Sequence, residues 1–196
     1  MPVLSEALGE VPIERALGWS ESSPGRPTAL VFVRHFACPT CTARAFELVE
    51  RRGEIEALGA VVAIIGVGSL EALRAFSERS GLAGATRRAP GEAGVHALTD
   101  PSLACHRAAG LARSMSAAVG LRSIGRSLGL YVRGFWAARR ADDGDVGQLA
   151  GVVVLDARGA VRLEHRARFV GDDLSMNDLI AIFLSERASA HEEWLV

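Results

Sequence analysis

Val31-Phe-Val-Arg34-His35-Phe-Ala-Cys38-Pro39-Thr40-Cys41, running on into Thr42-Ala-Arg44-Ala-Phe-Glu-Leu-Val-Glu-Arg51, reads as strand, tight turn and helix. Ala29 to Val33 is a short apolar, β-branched run of the kind that forms a buried parallel strand. The helix that follows is expected to bury Ala45, Phe46, Leu48 and Val49. Glu47 and Arg51 make an i,i+4 pair, and Gly53 is placed to stop the helix. Cys38 stands where the helix opens, and Pro39 suits the first helical position, where its missing N–H costs nothing. Unpaired N–H groups and the positive end of the helix dipole favour an anion at Cys38. A thiolate is the nucleophilic form of cysteine, and helix N-termini and C-x-x-C motifs lower its pKa. Cys41 lies one turn on, on the same side, so the pair can close to a disulfide. Arg34 and Arg44 can add positive field. A C-x-x-C that follows a strand and opens a helix is a redox signal in a βαβ context.

Working outward, the 196 residues suit one domain with decorations. Half of them are apolar, so a full core is expected and disorder is not. A net charge of −1 argues against nucleic-acid binding as a property of the whole chain. Three cysteines in a chain of this length make no disulfide scaffold, which points to a reducing, cytoplasmic setting. No apolar run approaches a transmembrane length, the longest being around Ala60 to Val67, and no signal peptide is recognised. All 22 basic residues are arginine. The absence of lysine excludes Schiff-base chemistry, a P-loop lysine and a lysine general base. Neither a G-x-S-x-G elbow nor an H-E-x-x-H helix is present.

Residues 1–27 read as an N-terminal extension, in which Leu4, Leu8, Ile13, Leu17 and Trp19 can form one amphipathic element. Val61 to Ile65 is a second buried strand. Ser69 caps a helix with Leu70, Leu73 and Phe76 as its apolar stripe. Val95 to Thr99 is a third strand, and Asp100-Pro101-Ser102 starts a helix carrying Cys105 and His106. Residues 111–147 are an insertion. From Pro101 to Ala141 there is no acidic residue, and there are seven arginines. Arg122, Arg126, Arg133 and Arg140 are spaced along one helical face, Leu121, Ile124, Leu128, Tyr131 and Phe135 along another. Two readings stand: an insertion whose apolar side packs on the core, or a basic lid for an anionic or lipid-like ligand. Val152 to Leu155, a turn at Asp156 to Gly159, and Val161 to His165 form a hairpin. Ser175-Met-Asn-Asp178 resembles a capping box opening a last helix that buries Leu179, Ile182 and Phe183. The domain ends near residue 186, leaving 187–196 as a tail.

This order of elements resembles the thioredoxin-like α/β fold with the inserted strand and helix of peroxiredoxins. The resemblance is to the AhpC/TSA group, and more closely to its peroxiredoxin-like 2 branch. It is carried by the Val31 to Cys41 stretch, Leu58 to Gly66, Thr99-Asp100-Pro101-Ser102, Gln148 to Gly159, and His165 to Asp172. It covers roughly residues 28–186. It implies a mixed sheet flanked by helices, and a thiol oxidoreductase with Cys38 as nucleophile and Cys41 as resolving cysteine. It also implies a peroxide or disulfide substrate, an external dithiol reductant, no cofactor, and room for a homodimer. The sequence departs from the P-x-x-x-T-x-x-C pattern of that family: Val31 replaces the proline and His35 the threonine. The arginine that precedes the late core strand falls on Ala150, and thioredoxin's cis-proline falls near Gly151. Arg34, His35, Arg166 and Arg168 are the side chains that can substitute for the missing peroxide-activating groups. Three alternatives stay open. One is reduction of a lipid endoperoxide, as in prostamide/prostaglandin F synthase-type relatives. Another is a zinc site built from Cys38, Cys41, Cys105 and His106 or His35. The third is a thioredoxin-like binding module without catalysis.

Overall fold

The computed structural model describes residues 25–84, 92–135 and 144–193. Most of the 1–27 extension, Arg139, Arg140 and Trp194 lie outside the described residues, as do the side chains of Leu121, Arg122, Ile124 and Arg126.

Five strands form one mixed sheet: β1 (Thr28–Phe32), β2 (Val61–Gly66), β3 (Gly94–Thr99), β4 (Gly151–Leu155) and β5 (Val161–Arg166), in spatial order β3-β2-β1-β4-β5. β1 is central. It runs parallel to β2 and antiparallel to β4, with Val31 opposite both Ile64 and Val152. Buried on both sides, β1 is apolar at every position after Thr28, which is why its sequence does not alternate. β4 and β5 are the antiparallel hairpin, turned at Asp156, whose carboxylate accepts from the backbone N–H groups of Arg158 and Ala160.

Seven helices are described: α1 (Pro39–Glu50), α2 (Arg52–Ala57), α3 (Leu70–Arg79), α4 (Ala104–Ala108), α5 (Met115–Val119), α6 (Leu121–Val132) and α7 (Met176–Glu193). The period of two splits the sheet's side chains between two cores. Ala29, Val31 and Val33 pack with Leu48 of α1, Ile55 of α2, Phe76 of α3 and Phe183 of α7. Leu30, Phe32, Ala63 and Ile65 face the other way, against Cys105, Ala109 and Leu111 around α4. Gly66 closes β2 where the ring of Phe36 crosses it. A Cβ there would stand 2.3 Å from that ring, so only glycine fits. Among the described residues no helix is long and apolar enough to cross a membrane.

Several local expectations change. Gly53 does not stop the redox helix: α1 ends at Glu50, Arg51 caps it, and Gly53 lies inside α2. The break turns Arg51 toward Glu54 of the new helix, with Arg51 Nη2 donating to Glu54 Oε2 at 2.7 Å, and the expected Glu47 pairs with Arg44 instead. Phe46 is not in the core. It is 42% exposed and meets Phe135 of the insertion edge-on at 6.0 Å. α7 continues without a break to Glu193, so the residues read as a tail begin as its last turns.

The insertion has a stapled neck. Ser114 N donates to Gly147 O and Leu149 N to Ala112 O, which brings its two ends side by side. Beyond the neck α6 lies along α1, sharing a cleft with it through Leu130. Its Leu128 and Val132, four apart, face solvent. Of the apolar face read from the sequence, Phe135 meets Phe46 of α1 while Leu128 turns to solvent, and Leu130, outside that face, lines the cleft shared with α1.

Candidate active site

Cys38 is the N-cap residue of α1, with extended backbone (φ −77°, ψ 126°), and Pro39 follows it in the first helical position. Its carbonyl accepts from Thr42 N at 3.0 Å, so the helix starts on it. Its side chain is thereby held at the positive end of the helix, and the first turn contains no acidic residue. Cys41 is three residues on, in the position from which a side chain reaches back to an N-cap. All three cysteines of the chain are free thiols.

Four groups converge on the Cys38 sulfur. Arg34 Nη1 donates to Sγ at 3.4 Å. The Thr40 hydroxyl lies 2.9 Å from it. The Cys41 thiol is hydrogen-bonded to it, and the His35 ring lies near enough to act on it by charge. Cys38 is held well below the usual thiol range. The hydrogen bond from Cys41 is the largest cause. Burial pushes the other way, and the charges of Arg34 and His35 and the Thr40 hydroxyl reinforce the lowering. Cys41 is pushed well above that range, first by burial and then by its neighbour Cys38, although its own Sγ accepts from Arg34 N at 3.3 Å. The two thiols titrate as a pair: one proton leaves early, the other late.

Arg34 is buried and fixed. Its Nε donates to Gln148 O at 2.9 Å and its Nη2 to Val146 O. Both acceptors belong to the neck of the insertion. Among the described residues the guanidinium has no carboxylate partner, so the anion it faces is Cys38. The insertion thus supports the cation through backbone carbonyls, which neutralise none of its charge. The redox turn is held from the other side by Arg79 of α3, which donates to Phe36 O at 2.8 Å.

Of the four supporting residues read from the sequence, Arg34 and His35 are brought to the cysteines. Arg166 and Arg168 are not. Arg166 donates to Ala109 O at 3.0 Å and to Glu164 at 2.6 Å, beside α4 and the second core. Arg168 is 83% exposed and pairs with Asp172 at 3.1 Å. Their places on β5 and just after it turn them away from α1. Gly151, near the place of thioredoxin's cis-proline, has no room for any side chain: a Cβ would stand 2.4 Å from Leu111 and 2.8 Å from the His165 carbonyl. Thr40 was missed by the sequence reading. Its signal was a hydroxyl inside the C-x-x-C, two residues after the N-cap. The zinc alternative also fails on placement. Cys105 is packed on the face of the sheet opposite Cys38 and Cys41, with its thiol pushed up to about 12 by burial and by Asp100. Among the described residues no group of three or more His, Cys, Asp or Glu is placed to hold a metal.

His106, given no role above, is also placed by the structure. It is fully buried, with Nδ1 3.0 Å from Asp100 Oδ2 and Nε2 3.2 Å from Val33 O. Each ring nitrogen thus faces an oxygen of another group. Asp100 also receives Ala104 N, Cys105 N and His106 N, and so caps α4 from outside it. This cluster holds the chain just past β1, at the carbonyl before Arg34.

Arg34→Met is expected to raise the Cys38 pKa by about one unit or more, because an opposite charge this close favours the anion. Removing the cation favours the thiol, so alkylation by iodoacetamide slows at neutral pH and recovers as pH rises through the ordinary thiol range. The wild-type profile stays flat across that range. Arg34→Lys keeps most of the low pKa while losing the neck contacts. The midpoint of rate against pH checks this.

The family model described as AhpC/TSA antioxidant enzyme matches residues 47–168, more than half of the chain. Both Cys38 and Cys41 precede that stretch. Thioredoxin-like protein AAED1, chloroplastic, of Arabidopsis thaliana is 33% identical over 73 residues, 37% of this chain, and the match spans only 29% of that relative. Among solved structures, the peroxiredoxin 6 of Arenicola marina aligns with a TM-score of 0.59 at 12% identity, over 87% of this chain and 66% of that one. The bacterioferritin comigratory protein of Xanthomonas campestris gives 0.53 at 14%, over 85% and 82%. The reduced Prx3 of Vibrio vulnificus gives 0.52 at 14%, over 82% of each chain. At these identities the likeness is one of fold, the thioredoxin-like α/β sandwich with a mixed sheet at its centre. With the matched stretch running from α1 through the end of β5, the chain belongs to the AhpC/TSA antioxidant enzyme family.

Proposed function

We propose that the protein is a thiol-dependent oxidoreductase that reduces hydroperoxides, with Cys38 as nucleophile and Cys41 as resolving cysteine. One observation carries this reading: a low-pKa sulfur at a helix N-cap, faced by a buried arginine and a hydroxyl, with a protonated thiol against it. Arg34 and Thr40 take the places of the family's missing arginine and threonine, reaching the sulfur from different positions in the chain. The peroxide reduction named for the Xanthomonas campestris protein and the hydrogen peroxide complex of the Vibrio vulnificus protein agree with it.

In the first step the Cys38 thiolate attacks the terminal oxygen of the hydroperoxide. An S–O bond forms, the O–O bond breaks, and the alkoxide leaves, taking a proton to become an alcohol. Cys38 is now a sulfenic acid. Cys41 sulfur then attacks Cys38 sulfur. The S–S bond forms, the S–O bond breaks, and hydroxide departs with the Cys41 proton as water. An external dithiol returns two electrons and two protons to the disulfide. The low pKa of Cys38 and the high pKa of Cys41 divide the roles, since only the first is an anion at neutral pH.

The test is peptide mapping after one equivalent of hydrogen peroxide is added to fully reduced protein and the remaining thiols are blocked. A Cys38–Cys41 disulfide with Cys105 unmodified is expected. An unmodified Cys38 overturns the reading.

A further inference from the structure

The polar stripe of α1 opens onto a cleft. Thr40, Ala43, Arg44, Glu47, Glu50 and Arg51 recur at helical spacing along its wall, and Leu130 and Arg133 of α6 and Met176 of α7 close the other sides around a volume of about 770 Å³. The cleft begins at Thr40, whose hydroxyl is 2.9 Å from the Cys38 sulfur, so it ends one side chain short of the nucleophile. Arg44 is one turn further, about 6 Å along the axis and nearly in line with Thr40.

Arg44 is not explained by the fold. Its side chain is only 7% exposed, yet its one ion pair among the described residues is Nη1 to the half-exposed Glu47 at 3.4 Å. Nη2 is buried and has no hydrogen-bond partner among the described residues. Arg44 also lines a small chamber next to Cys41 and Arg34, so it stands in the wall between the cleft and the redox centre. A buried guanidinium with half of its fork open carries a desolvation cost that a bidentate oxyanion removes. Arg133 lines the same cleft with no carboxylate partner among the described residues. The acidic groups facing the cleft are Glu47, Glu50 and Asp173. Glu47 engages only Nη1.

Building on the hydroperoxide reading above, we propose that Arg44 is a substrate-binding residue and that the preferred substrates are organic hydroperoxides bearing a carboxylate. The peroxide end lies over Thr40 at Cys38, and the carboxylate sits on Arg44 with Arg133 beside it. The apolar body of the substrate rests against Leu130 and Met176. The attack on the O–O bond is the one written above. Arg44 adds no bond to it and acts by holding the far end of the molecule. A net charge of −1 gives the whole protein no general attraction for anions, so a preference for a carboxylate has to come from this wall.

The test compares cumene hydroperoxide with its para-carboxylated form, which differ only by the carboxylate, in wild type and in Arg44→Met. The second-order rate of Cys38 oxidation is read for each, and the ratio of the two is taken within each protein, so a general loss of activity cancels. A ratio of about ten or more is expected in the wild type, falling to about one in Arg44→Met, as a charge-assisted pair would give. Binding of para-isopropylbenzoate, which cannot react, is expected by calorimetry in the wild type and lost in the variant. Equal rates in the wild type, or a ratio that survives in Arg44→Met, overturn the assignment of Arg44. An Arg44-dependent preference for dithiodipropionate over neutral disulfides, without one among hydroperoxides, overturns the substrate class. Cys38 left unoxidised by both hydroperoxides overturns the underlying reading itself, and the subsite with it.

Discussion

Cys38→Ser is expected to abolish hydroperoxide reduction, lowering it by at least about a thousandfold. A serine hydroxyl stays protonated in a site that holds a thiol as its anion, and oxygen cannot be oxidised to the sulfenic state. The environment built for the anion is then stranded: Arg34 keeps its carbonyl partners but faces no charge, and Cys41 loses the sulfur it bonds to. Cys41→Ser behaves differently. It leaves the first oxidation in place, stops the disulfide, and lets Cys38 sulfenic acid accumulate and overoxidise. Cys41→Ala, which also removes the hydrogen bond that most lowers the Cys38 pKa, slows the first step at neutral pH, with recovery as pH rises. Rapid-quench mass measurement after peroxide separates the two. The Cys38 variant gains no oxygen at this site, whereas the Cys41 variant gains one and then two. A Cys38→Ser protein with undiminished activity would exclude this thiol as the nucleophile.

Asp100→Asn is expected to cost about 3–5 kcal/mol of stability, because several buried donors lose their acceptor at about 1–3 kcal/mol each. Asp100 and His106 are both inaccessible to solvent, and the Asp100 carboxylate gathers three backbone N–H groups along with the His106 ring. The asparagine amide turns a donor toward some of these donors and leaves buried N–H groups without an acceptor. The measurable result is a urea midpoint lower by about 1–2 M at unchanged slope. There is a pH signature as well. Burial raises the Asp100 pKa, but the hydrogen bonds and charge of His106 outweigh it and hold the carboxyl below its ordinary value. A group with a depressed folded pKa stabilises fully above its unfolded pKa, about 3.9 for aspartate, and its contribution is lost as pH falls through the folded value. The wild type is therefore expected to lose stability on acidification below about pH 4, and Asp100→Asn to show a flatter acid limb. Because His106 holds Val33 O, loosening it also loosens the residue that carries Arg34. The variant should then show a raised Cys38 pKa by the same alkylation profile.

The insertion joins the proposed chemistry to the rest of the fold. Its neck accepts two hydrogen bonds from Arg34, and its helix α6 forms a wall of the cleft along α1. The basic face expected of it from arginine spacing is represented among the described side chains by Arg133. Its Phe135 meets Phe46 of α1 and its Leu130 lines the shared cleft, while Leu128 and Val132 turn outward. Helical spacing says which residues share a face, but not which side of that face the core will cover.

Read alone, the chain was enough to establish the strand at Ala29 to Val33, the turn, and a helix opening at Cys38. It was also enough to establish the hairpin around Asp156 and the capping box at Ser175, whose hydroxyl accepts from Asp178 N. These are decided by residues within a few positions of one another: a run without polar residues, a proline at a first helical position, an aspartate that bonds its own turn. For the same reason the sulfur's place at a helix N-terminus, and hence the direction of its pKa, was legible. What only the tertiary structure decided are contacts across long stretches of chain. Arg34 is anchored to carbonyls more than a hundred residues away, and Arg166 and Arg168 are spent elsewhere. His106 reaches back to Val33, Cys105 lies behind the sheet, and Arg44 is buried with an open nitrogen. The energy of a charge or a polar group depends on how much water the fold removes from it and what it puts in its place. That is set by whichever distant segment comes to lie against it.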